Sequence, residues 1–129
     1  MKKAIHIILI VLGLIALCTV EQIIAEKYLN DVQEKVDNLY TEFLAAENII
    51  NTKLIANTNQ LADFWKEKEN VLCTFVNHKD IEEIGEEITK LQSSVKNNNS
   101  EQYLQSIDLI KFYLQGYKHI IGISIQNVF

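Results

Sequence analysis

Apolar and polar positions divide this chain into two unlike parts. Residues 4–20 form an apolar run that no charged residue interrupts, apart from the titratable His6. From Ala25 onward the apolar positions recur three and four residues apart, with charged residues between them. The first pattern is that of a membrane-crossing helix and the second that of amphipathic helices packed through one face. A helix crossing a hydrocarbon core of ~30 Å takes about 20 apolar residues, and a slightly shorter run is accommodated by local thinning or snorkelling. Ile23 and Ile24 extend the apolar surface beyond Glu21.

In the second part, Ala25, Leu29, Val32, Val36, Leu39, Phe43, Ala46 and Ile50 form a heptad-like seam, and no glycine lies between Gly13 and Gly85. One long helix is therefore predicted from the apolar run to about Ile50. The seam faces either the core of a bundle or a second copy in a coiled coil. Asn57, Thr58 and Asn59 are weak helix formers that prefer caps and turns, so a break is placed there. A second helix follows, with the stripe Leu61, Phe64, Trp65, Leu72, Phe75 and Val76. Asp80, with Glu83 three residues on, resembles a capping box opening a third helix over Ile81, Ile84, Ile88, Leu91 and Val95. Glu82, Glu83, Glu86 and Glu87 make its outer face, and Glu86 suits a pairing with Lys90.

The run Asn97, Asn98, Asn99 and Ser100 is the clearest loop. Ser100 is the expected cap of a fourth helix with the seam Tyr103, Ile107, Ile110, Leu114, Tyr117 and Ile121. Gly122 is expected to end it, leaving residues 123–129 as an extended apolar tail that ends on Phe129. The fold class that follows is all-α: an N-terminal transmembrane helix running into a small antiparallel bundle of about four helices. The expected division is 1–3 cytoplasmic, 4–24 transmembrane, 25–122 extracytoplasmic bundle and 123–129 tail.

Charge orients the first segment. Lys2 and Lys3 precede the apolar run, and Glu21 and Glu26 follow it. Lysines flanking a span stay cytoplasmic, so the expected localisation is the cell membrane, single-pass, with the N-terminus inside and the remainder outside. A secretory signal has a shorter apolar region of ~7–15 residues and a small-residue cleavage site. The nearest candidate here, Ala16-Leu17-Cys18, is poor, and Leu17 stands where a lipoprotein has a small residue. The run is read as an uncleaved anchor. Every carboxylate lies after it, so the −5 of the whole chain becomes −7 for residues 21–129 once Lys2 and Lys3 are set aside. That balance argues against a nucleic-acid partner and against electrostatic docking on anionic lipid.

Candidate chemistry is sparse. Cys18 and Cys73 lie in different parts and are not expected to pair. Cys73, among Leu72, Phe75 and Val76, reads as a small buried hydrophobe. His78, beside Asp80, Glu82 and Glu83, is the one local histidine, and a zinc site needs three or four converging ligands. A structural role across the turn between the second and third helices is the simpler reading. Trp65 reads as a core residue. No phosphate loop, Cys-x-x-Cys or nucleophile–base pairing is visible, so the expectation is a non-enzyme with no catalytic residue, metal or cofactor.

Phe64-Trp65-Lys66, the junction Phe75-Val76-Asn77-His78-Lys79-Asp80-Ile81-Glu82-Glu83-Ile84 and the ending Ile125-Gln126-Asn127-Val128-Phe129 together resemble the DUF4363 family of short, membrane-anchored bacterial proteins. The likeness covers roughly the C-terminal half and the overall layout. It implies a Firmicute origin, no established activity and no catalytic residue to carry over, and gives His78 more weight. It also implies a YetF-like membrane protein as a partner. The structural or interaction residues expected from the whole reading are Trp65, Asn77, His78, Asp80 and Phe129.

The expected function is that of an outward-facing accessory or scaffold bundle, held by membrane lipid through its first helix. It would bind another membrane or envelope protein, or itself. The alternative is a ligand-sensing bundle that signals through a partner, with a pocket near Trp65 and Tyr113 or Tyr117.

Overall fold

The computed structural model describes residues 1–47 and 51–128, the side chains of residues 121–128 excepted. Four α-helices follow one another: α1 (Lys2–Ala45), α2 (Thr52–Phe75), α3 (His78–Lys96) and α4 (Ser100–Val128), and the described residues include no strand. Each helix packs on the next in sequence and α4 returns to α1, with no diagonal pair in contact among the described residues. Short connections reverse the chain each time, which gives an up-down-up-down bundle.

The seams predicted from spacing form the core. Ala25, Leu29, Val32, Val36 and Leu39 of α1 are buried, as are the five predicted positions of α3. On α4, Tyr103, Ile107, Ile110, Leu114 and Tyr117 are buried as well. The α1 seam thus faces this chain's own bundle. Ile50, the last position of that seam, lies outside the described residues, and so does the side chain of Ile121. The N-terminal half of α1 packs against nothing comparable: Ile7, Leu9 and Ile10 are each about 62% exposed. It is the one helix among the described residues long and apolar enough to cross a membrane, and its most apolar stretch is wholly uncovered.

The break between the first two helices falls earlier than expected. Ala46 leaves α1 in an extended conformation, and Asn51 caps α2 by accepting from the Lys53 N–H at 2.9 Å. Asn57, Thr58 and Asn59 lie inside α2, and each reaches a different helix. The Asn57 amide donates to both oxygens of Glu42 on α1, each at 2.8 Å. The Thr58 hydroxyl meets Tyr103 Oη of α4 at 3.1 Å and also bonds the Leu54 carbonyl. Asn59 Oδ1 accepts from Gln92 of α3 at 2.8 Å. Successive helical positions point about 100° apart, so three neighbours can address three partners. Each residue costs α2 up to ~0.7 kcal/mol in propensity, and a buried or half-buried hydrogen bond of ~1 kcal/mol offsets that.

Other local expectations shift by a residue or more. α3 starts at His78, capped by Asn77, whose side chain accepts from the Lys79 N–H at 3.1 Å; Asp80 lies within its first turn. α4 is capped by Asn99, which accepts from the Gln102 N–H at 3.0 Å, one residue before Ser100. Between them Asn98 adopts a left-handed φ of 54°. The Asn99 N–H then reaches the Ser94 carbonyl and the Asn98 N–H the Val95 carbonyl, closing α3 in a Schellman turn. Glu87 is not on the solvated face: it is 5% exposed and pairs with Lys90 at 2.6 Å, in place of Glu86.

The expected extended tail is corrected too, because α4 stays helical through Val128. Glycine in a helix costs ~1 kcal/mol, which weakens it without ending it; no glycine here takes a positive φ, and the chain has no proline to force a stop. Phe129 lies outside the described residues.

Candidate functional site

The predicted site residues do not converge. Trp65 is 3% exposed and packs between α2 and α3, where a Cβ at Gly85 would lie 2.9 Å from its Nε1. The missing side chain of Gly85 is what admits the indole. Among the described residues its N–H has no hydrogen-bond partner, so packing is what holds the ring. His78 points outward along its own helix: its Nε2 is 3.0 Å from Glu82 Oε1, with both side chains more than half exposed. It therefore does not bridge α2 and α3. Among the described residues no group of three or more His, Cys, Asp or Glu side chains is placed to hold a metal.

Asn77 and Asp80 do come together, with a residue that spacing alone read only as core. The Asn77 N–H donates to Tyr117 Oη of α4 at 3.1 Å. Burial pushes the Tyr117 phenol up, the neighbouring Asp80 carboxylate pushes the same way, and the Asn77 N–H opposes both. The hydroxyl thus ties the α2–α3 turn to α4. The signal in the sequence was a tyrosine, rather than a leucine or phenylalanine, at a seam position: a buried hydroxyl needs partners.

Tyr117, Asn77 and Asp80 line a cleft of about 490 Å³ at the end where α1 enters the bundle. Cys18, Glu21, Gln22 and Ala25 close one side of it, and Phe75, Val76 and Ile120 complete the lining. It offers apolar surface with two carboxylates, a phenol and the Cys18 thiol. Trp65 lines a different groove, with Gly85, so Trp65 and Tyr117 do not share one pocket. Cys73 is half-buried against the core. Burial and the Glu69 and Glu82 carboxylates raise its pKa, which disfavours the reactive thiolate.

Tyr117→Phe is expected to cost about 1–2 kcal/mol, since it leaves the half-buried Asn77 N–H without its acceptor. Denaturant melts of the full chain in mild detergent, compared with wild type, measure the loss. An unchanged midpoint would show that the Tyr117 hydroxyl does not hold the turn.

Residues 23–128 match the family model described as a domain of unknown function (DUF4363), a longer stretch than the C-terminal half that carried the resemblance. No curated protein and no solved structure matches the chain.

Proposed function

This chain belongs to the DUF4363 family, and from that premise we propose that it is a membrane-anchored accessory or scaffold protein. Its bundle stands outside the cytoplasmic membrane and binds another membrane or envelope protein there. The observation that carries this reading is the continuity of α1: one helix runs from a fully uncovered apolar segment into the bundle core. A break between the two would let the bundle tumble on a tether. An unbroken helix fixes its height and tilt above the bilayer, which suits a part that must meet a neighbour in the same membrane. The lysines before the apolar segment and the carboxylates after it support the outward orientation. The bundle also exposes large apolar side chains, with Phe112 68% and Leu44 63% accessible.

The protein is read as a non-enzyme, and the membrane-end cleft as part of the surface that a partner meets. A YetF-like membrane protein is the partner proposed. A photoreactive phenylalanine analogue in place of Phe112, activated in native membranes, tests this. The expected result is a discrete adduct with a second membrane or envelope protein. Adducts with copies of this chain alone would replace the accessory role with self-association.

A further inference from the structure

α4 runs past the turn that joins α2 to α3. Its Tyr117 bonds Asn77 in that turn, and the helix continues to Val128. Residues 120–129 carry no Asp, Glu, Lys, Arg or His, and six of the ten are Ile, Val or Phe. Ile120, the last with a described side chain, is 62% exposed.

The register of α4 against α1 shows where this extension goes. Phe43 stacks on Tyr103 at 5.2 Å, and Lys111 Nζ lies 2.9 Å from Asp37 Oδ1. Two antiparallel helices share the same rise per residue, so these pairs fix the levels of all others to within about a turn. Carried on to Val128, the register brings the end of α4 level with residues 18–20 of α1. Ala25 lines one cleft with Tyr117 and Ile120, so the two helices still run side by side at that level. The apolar run 4–20 spans about 25 Å as a helix, less than the ~30 Å hydrocarbon core, so the outer boundary falls a few residues beyond Val20, near Ile23 and Ile24. Val128 then lies several ångströms below that boundary.

We propose that the last two turns of α4 form a second membrane contact, lying in the head-group and acyl boundary of the outer leaflet beside the emerging α1. This rests on the membrane reading of α1. The absence of charged side chains from residues 120–129 removes the main cost of entering that layer. The last carbonyls of a helix have no intrahelical donors, and water and head groups at the boundary supply them, which the acyl core would not. The burial of interfacial helices is ~5–10 Å, matching the depth set by the register. Two contacts in place of one hold the bundle against rotation about α1.

The test uses the full chain with Cys18→Ala and Cys73→Ala, reconstituted in phosphatidylcholine–phosphatidylglycerol vesicles. Single cysteines at Ser124→Cys, Ile125→Cys, Asn127→Cys and Val128→Cys carry the fluorophore NBD, with Leu12→Cys as the reference within the span. Emission is measured with acyl-chain spin-labelled lipid and with iodide on both sides. At least one helical face of residues 124–128 is expected to lose emission to the spin-labelled lipid and to be shielded from iodide. Quenching by iodide alone at all four positions would overturn the proposal, and so would shielding from both quenchers, which would mean cover by protein. Leu12→Cys that escapes lipid quenching would instead overturn the membrane reading of α1.

Discussion

Trp65→Ala is expected to lower the stability of the bundle by about 3–5 kcal/mol, the range for removing a buried large aromatic. The ring is almost fully enclosed between α2 and α3, and the Gly85 notch exists in step with it. An alanine leaves a void that neither helix can fill, because Leu61, Leu72, Ile84 and Ile88 are already committed to the core. The indole N–H makes no hydrogen bond among the described residues, so Trp65→Phe loses packing only and should cost well under half as much. The converse change, Gly85→Ala, drives a methyl group to 2.9 Å from Nε1 and should cost about 1–3 kcal/mol through overpacking. Combined with Trp65→Phe, it should cost less than the sum, since the two residues share one space. Denaturant melts of the full chain in mild detergent, followed by circular dichroism, give all four values. An unchanged midpoint for Trp65→Ala would place the ring at the surface and contradict the α2–α3 packing.

Alkaline pH should remove a further 2–3 kcal/mol or so through Tyr103, from a shift of about two pKa units at 1.36 kcal/mol each. Its side chain is fully buried beside Phe43, and burial pushes the phenol up to about 12 from an ordinary 10, although the Thr58 hydroxyl draws it back somewhat. The unfolded chain therefore releases this proton first as pH rises. Between pH 10 and 12 the native state holds the proton that the unfolded state has lost, and stability falls with rising pH. Below pH 10 both states are protonated and the contribution is complete. Tyr117 shifts in the same direction and adds to the fall. Tyr103→Phe should have a shallower decline over this window than wild type, with lysine titration common to both. Parallel profiles would show that the Tyr103 hydroxyl is not held in a dry site.

The two predictions concern residues that sequence reading treated unequally. Trp65 was legible because a large apolar ring on a three-four stripe has one economical place, the core. The same rule recovered the seams of α1, α3 and α4. It failed at Asn57, Thr58 and Asn59, where propensity is local but the partners are not. Glu42, Tyr103 and Gln92 come from three other helices, and no short window of sequence contains them. Glu87 misled for a related reason: its neighbours are solvated glutamates, and only the position of α3 in the bundle turns it inward. Gly122 does not stop α4, because a helix is ended by a left-handed residue or a lost donor and not by low propensity alone. At the membrane-end cleft, Asn77 and Asp80 stood out through the junction motif, whereas Tyr117 lies far along the chain and meets them only after α4 has folded back.

The central claim is that α1 crosses a membrane and carries the bundle outward. Glu101 is exposed at the start of α4, at the opposite end of the bundle from the apolar half of α1. A full chain with Cys18→Ala, Cys73→Ala and Glu101→Cys, expressed in intact cells, is treated with a membrane-impermeant maleimide and then fractionated. The account predicts labelling before lysis, on protein that stays in the membrane through an alkaline carbonate wash. Labelling only after lysis, or recovery in the soluble fraction, would contradict it.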